Sequence, residues 1–340
     1  MVDSGEIKVN FQQGDKRRVS SHTISSLVTM LISKAGISEK VLSIFAGLVL
    51  MIFFVIPFLW MLATSLKSDN ELFEVMDCLS LFFPRHVRWG NYQEIFMKIP
   101  FLRYLLNSLL VALFSAMLET AMASLAAFGL SRMRWKARSM IHRMLFLSWL
   151  VPFLVVLISR FLIIACLPDL LWPSDFWSSW RVIELGGVEY PVGRLVGLDS
   201  FFALILPGSL SITATFLLIT AMNRISPQLL ETAYLEAGSN LRVYWDIVLP
   251  LIRPSLITVA FIAFLSSWQS FTWPLIVTST MEMQTAPIGL RAFQNLHSTQ
   301  WCLLMAGSVV LTLPSLGFLF LAQRYMIDRF QLSELSESRM

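Results

Sequence analysis

No residues in this chain are spaced for covalent catalysis; the groups that stand out suit recognition. His22, His86, His142 and His297 are scattered, and Cys78, Cys166 and Cys302 match neither a zinc nor a redox spacing. No metal site is expected from them. A Gly-x-x-x-x-Gly-Lys-Ser/Thr phosphate loop is absent from the sequence. What remains is a polar stretch, Glu231-Thr-Ala-Tyr-Leu-Glu-Ala-Gly-Ser239, followed by Ile247-Val-Leu-Pro250. It sets carboxylates among apolar side chains, as a polar loop on one side of a bilayer or an ordinary amphipathic interfacial helix would. A second group, Trp268, Gln269, Phe271 and Trp273, combines aromatic faces with an amide. Such groups stack on a sugar ring and bond its hydroxyls; the alternative is helix packing with an interfacial aromatic belt.

The polar stretch reads as two short helices around a glycine turn. Ser226 suits the N-cap of the first, and Pro227 suits its first turn, where a missing N–H costs nothing. Gly238 can adopt the left-handed conformation that ends it. A second helix is expected from about Leu241 until Pro250 interrupts the hydrogen-bond ladder.

The elements that hold these groups are hydrophobic. The 340 residues are 56% hydrophobic and 14% charged, with a mean hydropathy of +0.68. Such a chain cannot hide its apolar surface in a soluble core. Stretches of roughly 20 apolar residues cross a bilayer as helices. Six are predicted, at about 44–66, 104–130, 140–166, 200–222, 252–277 and 301–323, giving an all-α membrane protein.

Lysine and arginine placement sets the orientation. With both termini inside, the cytosolic segments carry 17 of these residues and the outer loops 8. The clearest element is the turn at 131–143, with Arg132, Arg134, Lys136, Arg138 and Arg143. The Glu231 loop then lies in the cytosol, between the fourth and fifth spans. Residues 1–43 form a cytosolic N-terminal segment without signal-peptide character, in which 23–35 suits an amphipathic helix on the inner membrane surface. The transmembrane domain covers 44–325, and 326–340 is a cytosolic tail. Glu119 and Arg160 fall inside predicted spans, where charge usually faces a bundle interior or a watery cavity. Their estimated depths disfavour direct pairing; Arg160 either lines a polar path near the outer mouth or snorkels to that interface.

The loop resembles the EAA loop of binding-protein-dependent ABC importer permeases: Glu-Ala-Ala, then Gly, then Ile-x-Leu-Pro. Glu231, Ala233, Ile247, Leu249 and Pro250 stand at that spacing. Thr232 replaces the second alanine, and Gly238 lies one step past the family glycine. Four further blocks keep the family order: Tyr104-Leu-Leu-Asn-Ser-Leu, Ala126-Ala-Phe-Gly-Leu-Ser-Arg132, Phe264-Leu-Ser-Ser-Trp-Gln-Ser-Phe-Thr-Trp-Pro-Leu275 and Gln323-Arg-Tyr325. Over about 104–325 the chain is similar to the MalG-type permease of carbohydrate ABC importers. Two departures stand out. The segment 167–198 is long, with Trp172, Trp177 and Trp180 and a Gly186-Gly187 hairpin signal. The C-terminus lacks the family's glycine-rich ending.

This resemblance implies a permease subunit in the bacterial cytoplasmic membrane, importing a sugar or oligosaccharide. Its implied partners are a second, MalF-like permease, two ATPase subunits, an extracytoplasmic binding protein and lipid, with no nucleic acid. The chain itself holds no cofactor; ATP and Mg belong to the ATPase partners. The loop at 223–250 would be the coupling helix, with Glu231, Thr232, Ala233, Glu236, Gly238, Ile247, Leu249 and Pro250 as contacts, Ala233 and the apolar residues packing into the ATPase cleft. For Glu231 the alternative is a solvated carboxylate; Arg242 and Asp246 either orient the second helix or face water. Trp268, Gln269, Phe271, Trp273 and Arg160 are candidates for a solute path. The insertion is expected to form a small hairpin outside the membrane, with Trp177, Trp180 and Tyr190 contacting the binding protein or anchoring at headgroups. Other readings are a polyol or other small-solute importer, a secondary transporter or channel working without ATPases, and a membrane scaffold. Co-purification with an ATPase separates the importers from the last two.

Overall fold

A computed structural model describes residues 39–74, 82–132, 136–171, 183–185, 188–190, 197–294 and 299–337. The predicted amphipathic segment 23–35, the Gly186-Gly187 turn, Trp177 and Trp180 lie outside them. The chain divides into two units, 1–60 and 61–340. Helix α1, Glu39–Ser65, is almost wholly apolar and carries Pro57 within it.

In the second unit, α2 (Asp69–Phe73) and α3 (Gly90–Lys98) precede α4 (Phe101–Arg132). Helix α4 has 32 residues, about 48 Å at 1.5 Å per residue. Its buried face is made of small residues, among them Ser108, Ala112, Ala116, Ala123, Ser124 and Ala127, at three-, four- and seven-residue intervals. Small side chains let neighbouring helices approach closely, the device of membrane helix packing. Leu102, Leu106, Leu110, Phe114 and Met117 point away from that face and are exposed.

Next come α5 (Arg138–Trp149) and α6 (Phe153–Leu171), then strands β1 (Ile183–Leu185) and β2 (Val188–Tyr190). The strands pair antiparallel, with Ile183 opposite Tyr190 and Leu185 opposite Val188. Helix α7 (Phe201–Ile205) runs through a 3-10 turn into α8 (Ile212–Asn223). The polar loop holds α9 (Pro227–Ala237), α10 (Asn240–Val243), a π turn at Tyr244–Val248 and α11 (Leu249–Leu251). Helices α12 (Arg253–Trp268), α13 (Thr272–Val277), α14 (Ala286–Gly289) and α15 (Trp301–Glu337) complete the chain.

Three of these helices are individually long and apolar enough to cross a membrane, at Ser43–Ser65, Phe101–Arg132 and Trp301–Gln323. The other predicted spans are not straight rods. Residues 140–166 break between α5 and α6, which meet at 106°. Residues 200–222 bend by 46°, and α12 turns 80° away from Asn240–Leu251. The stretch 252–277 stops at Trp268 and restarts at Thr272. Proline accounts for these breaks. Pro152, Pro207 and Pro274 lack the N–H that would continue the ladder, and their rings crowd the carbonyl four residues back. Counting each bent pair as one span gives up to six by length and composition, but one of those pairs joins α12 to Asn240–Leu251 of the polar loop and so differs from the predicted span 252–277.

Helix α4 organises the rest. Its Asn107 side-chain amide donates to the carbonyls of Glu282 and Gln284 at 2.8 and 2.9 Å. Ser108 Oγ accepts from the Ala286 amide at 2.8 Å. Tyr104 lies so close to Gly289 that a Cβ there would stand 2.2 Å from its ring. The Tyr104–Leu109 block is therefore the seat for the segment 281–293. Across the molecule, Asp199 takes a positive φ of 58° and accepts from the Ser279 and Thr280 amides, fastening the start of α7 to the end of α13.

Candidate functional site

The polar loop is an elbow built on the core of the chain. Ser226 occupies the N-cap of α9 in an extended conformation, but its side chain bonds no backbone N–H; Pro227 fills the first turn. Gly238 ends α9 at φ 68°, the left-handed conformation expected of it. Ser239 then caps α10, its hydroxyl accepting from the Arg242 amide at 3.3 Å. The second arm widens into a π turn just before Pro250 and continues through that proline to Leu251, one residue beyond the expected stop, before the chain bends. Arg242 and Asp246 pair with each other at 3.7 Å, both largely in solvent. Such an exposed pair contributes little to stability.

One side of the elbow is part of the hydrophobic core. Leu230 and Ala233 of α9, with Val243, Tyr244 and Val248 of the second arm, pack among Ala123, Ala127, Leu218 and Met222. The Tyr244 and Ser124 hydroxyls bond at 2.7 Å, and the Tyr244 ring lies 5.1 Å from that of Phe128. Arg132, at the end of α4, donates to the carbonyls of Met222 and Ile225 at the C-terminal end of α8, where a cation suits the helix dipole. Ala233 is only 4% exposed. It packs inside its own chain, which corrects the expectation that it enters an ATPase cleft. Ile247 and Leu249 are half-buried against the same core.

The opposite side is open. Glu231, Thr232, Glu236 and Gly238 are exposed, as are Leu229, Leu241 and Trp245, and Leu235 is 88% exposed. Glu231 forms no ion pair with a described residue, and Thr232 returns its hydroxyl to the Gln228 carbonyl at 3.1 Å. This side presents two carboxylates and a run of bare apolar residues. Exposed apolar groups rimmed by charge mark a surface that meets a protein or a membrane.

A second feature lies between α4, the α5–α6 break, α7–α8 and α12–α13. It is a cleft of about 660 Å³. Its walls carry Glu119 and Arg160, the hydroxyls of Ser115, Ser211, Ser266, Ser267 and Ser270, and the Trp149, Phe153 and Trp273 rings. Arg160 stands over the Phe153 ring at 5.6 Å, and the Ser211 hydroxyl stands against the Glu119 carboxylate. Arg160 and Glu119 share the cleft without forming an ion pair. Ser115 is 4% exposed, and its hydroxyl has no partner among the described residues. A buried hydroxyl without a partner costs free energy unless something in the cleft bonds it.

The predicted solute-path residues divide. Trp268 belongs to the helix packing: 2% exposed, it donates its indole N–H to the Leu311 carbonyl at 3.1 Å and stacks on Phe264. Trp273 reaches the cleft, but its N–H is committed to the Ala203 carbonyl at 2.9 Å. Gln269 and Phe271 are exposed at the α12–α13 break and do not line the cleft; Arg160 does. Tyr190 sits in β2 opposite Ile183. Sequence reasoning missed the serines, because single hydroxyls in apolar helices carry no periodic signal. Among the described residues, no three His, Cys, Asp or Glu side chains gather as metal ligands would.

Comparison with known proteins identifies the class. The profile of the family "Binding-protein-dependent transport system inner membrane component" matches residues 119–330, and the chain belongs to that family. It is a multi-pass inner-membrane permease component of an importer, not an enzyme. The probable starch degradation products transport system permease protein AmyC of Thermoanaerobacterium thermosulfurigenes is 28% identical over 289 residues, covering 85% of this chain and 94% of that protein. The sn-glycerol-3-phosphate transport system permease protein UgpE of Pectobacterium atrosepticum is 27% identical over 267 residues, covering 76% and 84%. A solved bacterial ABC transporter involved in import of the acidic polysaccharide alginate shares the fold, with a TM-score of 0.64 at 17% identity over 84% of this chain and 97% of that one.

Proposed function

We propose that this chain is the permease subunit of an ATP-driven saccharide importer and that its Glu231 loop is the coupling element. Its partners are a second permease, two ATPase subunits that bind ATP and Mg, and an extracytoplasmic binding protein that delivers the solute. The loop faces the cytosol, as do both termini. The hairpin at 183–190 faces outward.

The observation that carries this reading is the two-sided elbow. One side of α9 is bare and mixed apolar and acidic. The other is continuous with the core formed by α4 and α8. A push on the bare side is therefore delivered to the long helices rather than absorbed by a flexible loop. The second arm runs through an 80° turn into α12, whose Ser266 and Ser267 line the cleft. ATPase closure would move the elbow as one body and shift α12 at the cleft wall, switching the pathway between two arrangements.

Hydroxyls, a carboxylate, a guanidinium and aromatic faces are the groups that bind sugars, and the cleft volume suits a small oligosaccharide. The names of the starch-product permease and the alginate transporter point to the same solute class. In reconstituted vesicles, Glu231→Lys should leave insertion intact while lowering saccharide uptake and substrate-stimulated ATP hydrolysis. Uptake that persists without ATP would instead show a transporter working without ATPases, and uptake of sn-glycerol-3-phosphate but not maltotriose would reassign the solute.

A further inference from the structure

A concave patch at the start of α5 lies outside both features above. Lys136, Arg138, Ser139, His142 and Arg143 enclose about 540 Å³. Lys136 and Arg143 are exposed and Arg138 is half-buried. None of the three cations forms an ion pair with a described carboxylate. Arg143 is exposed, with its Nε donating to the Ser139 carbonyl at 3.4 Å. His142 is held from below, its ring 3.3 Å from the Leu130 carbonyl. The patch thus gathers three fixed positive charges and a hydroxyl around one open volume.

The surface beyond it is apolar. Met140, Met144 and Leu147 recur at helical spacing on α5 and are all more than half exposed. Ile141 and Leu145 turn the other way and pack on the core. A headgroup-sized basic hollow therefore opens directly onto an apolar stripe. From this juxtaposition we infer that the patch is a binding site for an anionic phospholipid. The phosphate sits among Lys136, Arg138 and Arg143, and the acyl chains lie along Met140, Met144 and Leu147. Arginine and lysine pockets beside membrane helices bind anionic headgroups by this division of labour. The site needs only that α5 touches the membrane, and it does not depend on which solute the importer carries.

The test uses the full chain purified in a neutral detergent and offered phosphatidylglycerol, phosphatidylcholine or inorganic phosphate. Native mass spectrometry counts retained lipid. At about a fivefold preference per cation near an anionic surface, the wild type should retain phosphatidylglycerol roughly a hundredfold over phosphatidylcholine. Lys136→Gln/Arg138→Gln/Arg143→Gln should erase most of that preference, and raising the salt on the wild type should weaken it whether or not the variant folds. Equal retention of the two lipids by the wild type overturns the site. So does a triple variant that folds and keeps the preference. Inorganic phosphate that displaces the lipid at equal concentration removes the acyl-chain half of the inference. Loss of ATPase co-purification in the triple variant, without any lipid preference in the wild type, would make the patch a protein contact and refute the lipid.

Discussion

The hydroxyls of Ser124 and Tyr244 meet at 2.7 Å in a buried seam between α4 and the second arm of the Glu231 loop. Ser124 also donates to the Ala121 carbonyl at 2.9 Å, so in the shared bond Tyr244 is the donor. The bond ties the loop to α4, a helix of 32 residues that organises the second unit. Tyr244→Phe removes it while keeping the ring against Phe128. The cost should be about 1 kcal/mol, the net worth of one hydrogen bond. If the seam transmits force, the same variant should also raise basal ATP hydrolysis relative to the substrate-stimulated rate. Thermal melting in detergent and ATPase assays on the reconstituted complex check the two effects separately.

The contact between Tyr104 and Gly289 should be intolerant of one added methyl. Gly289→Ala places a carbon 2.2 Å from the Tyr104 ring, and overpacking of this kind costs about 1–3 kcal/mol. Tyr104→Leu alone should lose packing, yet combined with Gly289→Ala it should recover part of the stability. Additive losses in the double variant, measured by melting, would show that the two residues do not share the space.

The cleft should matter to the solute and not to assembly. Glu119→Gln and Ser115→Val should each lower saccharide uptake about tenfold or more, the effect expected when a buried polar site loses its partner. Co-purification of the partner subunits should be unchanged. Uptake at the wild-type rate in both variants would place the solute path elsewhere, in the second permease.

Orientation is tested by labelling. With Cys78, Cys166 and Cys302 replaced, Ser239→Cys should react with an impermeant thiol reagent only from the cytosolic side and Glu282→Cys only from outside. Both positions are exposed. Reaction of both from one side would break the topology read from lysine and arginine placement.

Much of the loop was legible in the sequence. Pro227, Gly238 and Pro250 act through backbone geometry that depends only on the residue itself, so their places in the elbow follow from chemistry at those positions. Hydropathy located the long apolar runs for a similar reason. It did not show where they break, because a window average treats Pro152, Pro207 and Pro274 as minor losses of apolarity, whereas each removes a donor from the ladder. Tertiary facts were hidden as well. Ala233 and Leu235 lie two apart on one helix, and nothing local says which faces the core; packing on Ala123 and Leu218 decides it. Trp268 reads equally as a sugar platform or as packing until the Leu311 carbonyl is seen to take its N–H. The serines of the cleft come from separate helices, and only the fold brings them together.

The central claim is that the bare side of α9 docks on the ATPase while its other side belongs to the permease core. A photo-crosslinking amino acid placed at Leu235 tests it most directly, with the same group at buried Leu230 as control. In the assembled complex in nanodiscs, Leu235 should yield an adduct containing the ATPase subunit, and Leu230 should yield none. Adducts at Leu235 with lipid or with this chain alone, in a complex that still hydrolyses ATP, would contradict the account.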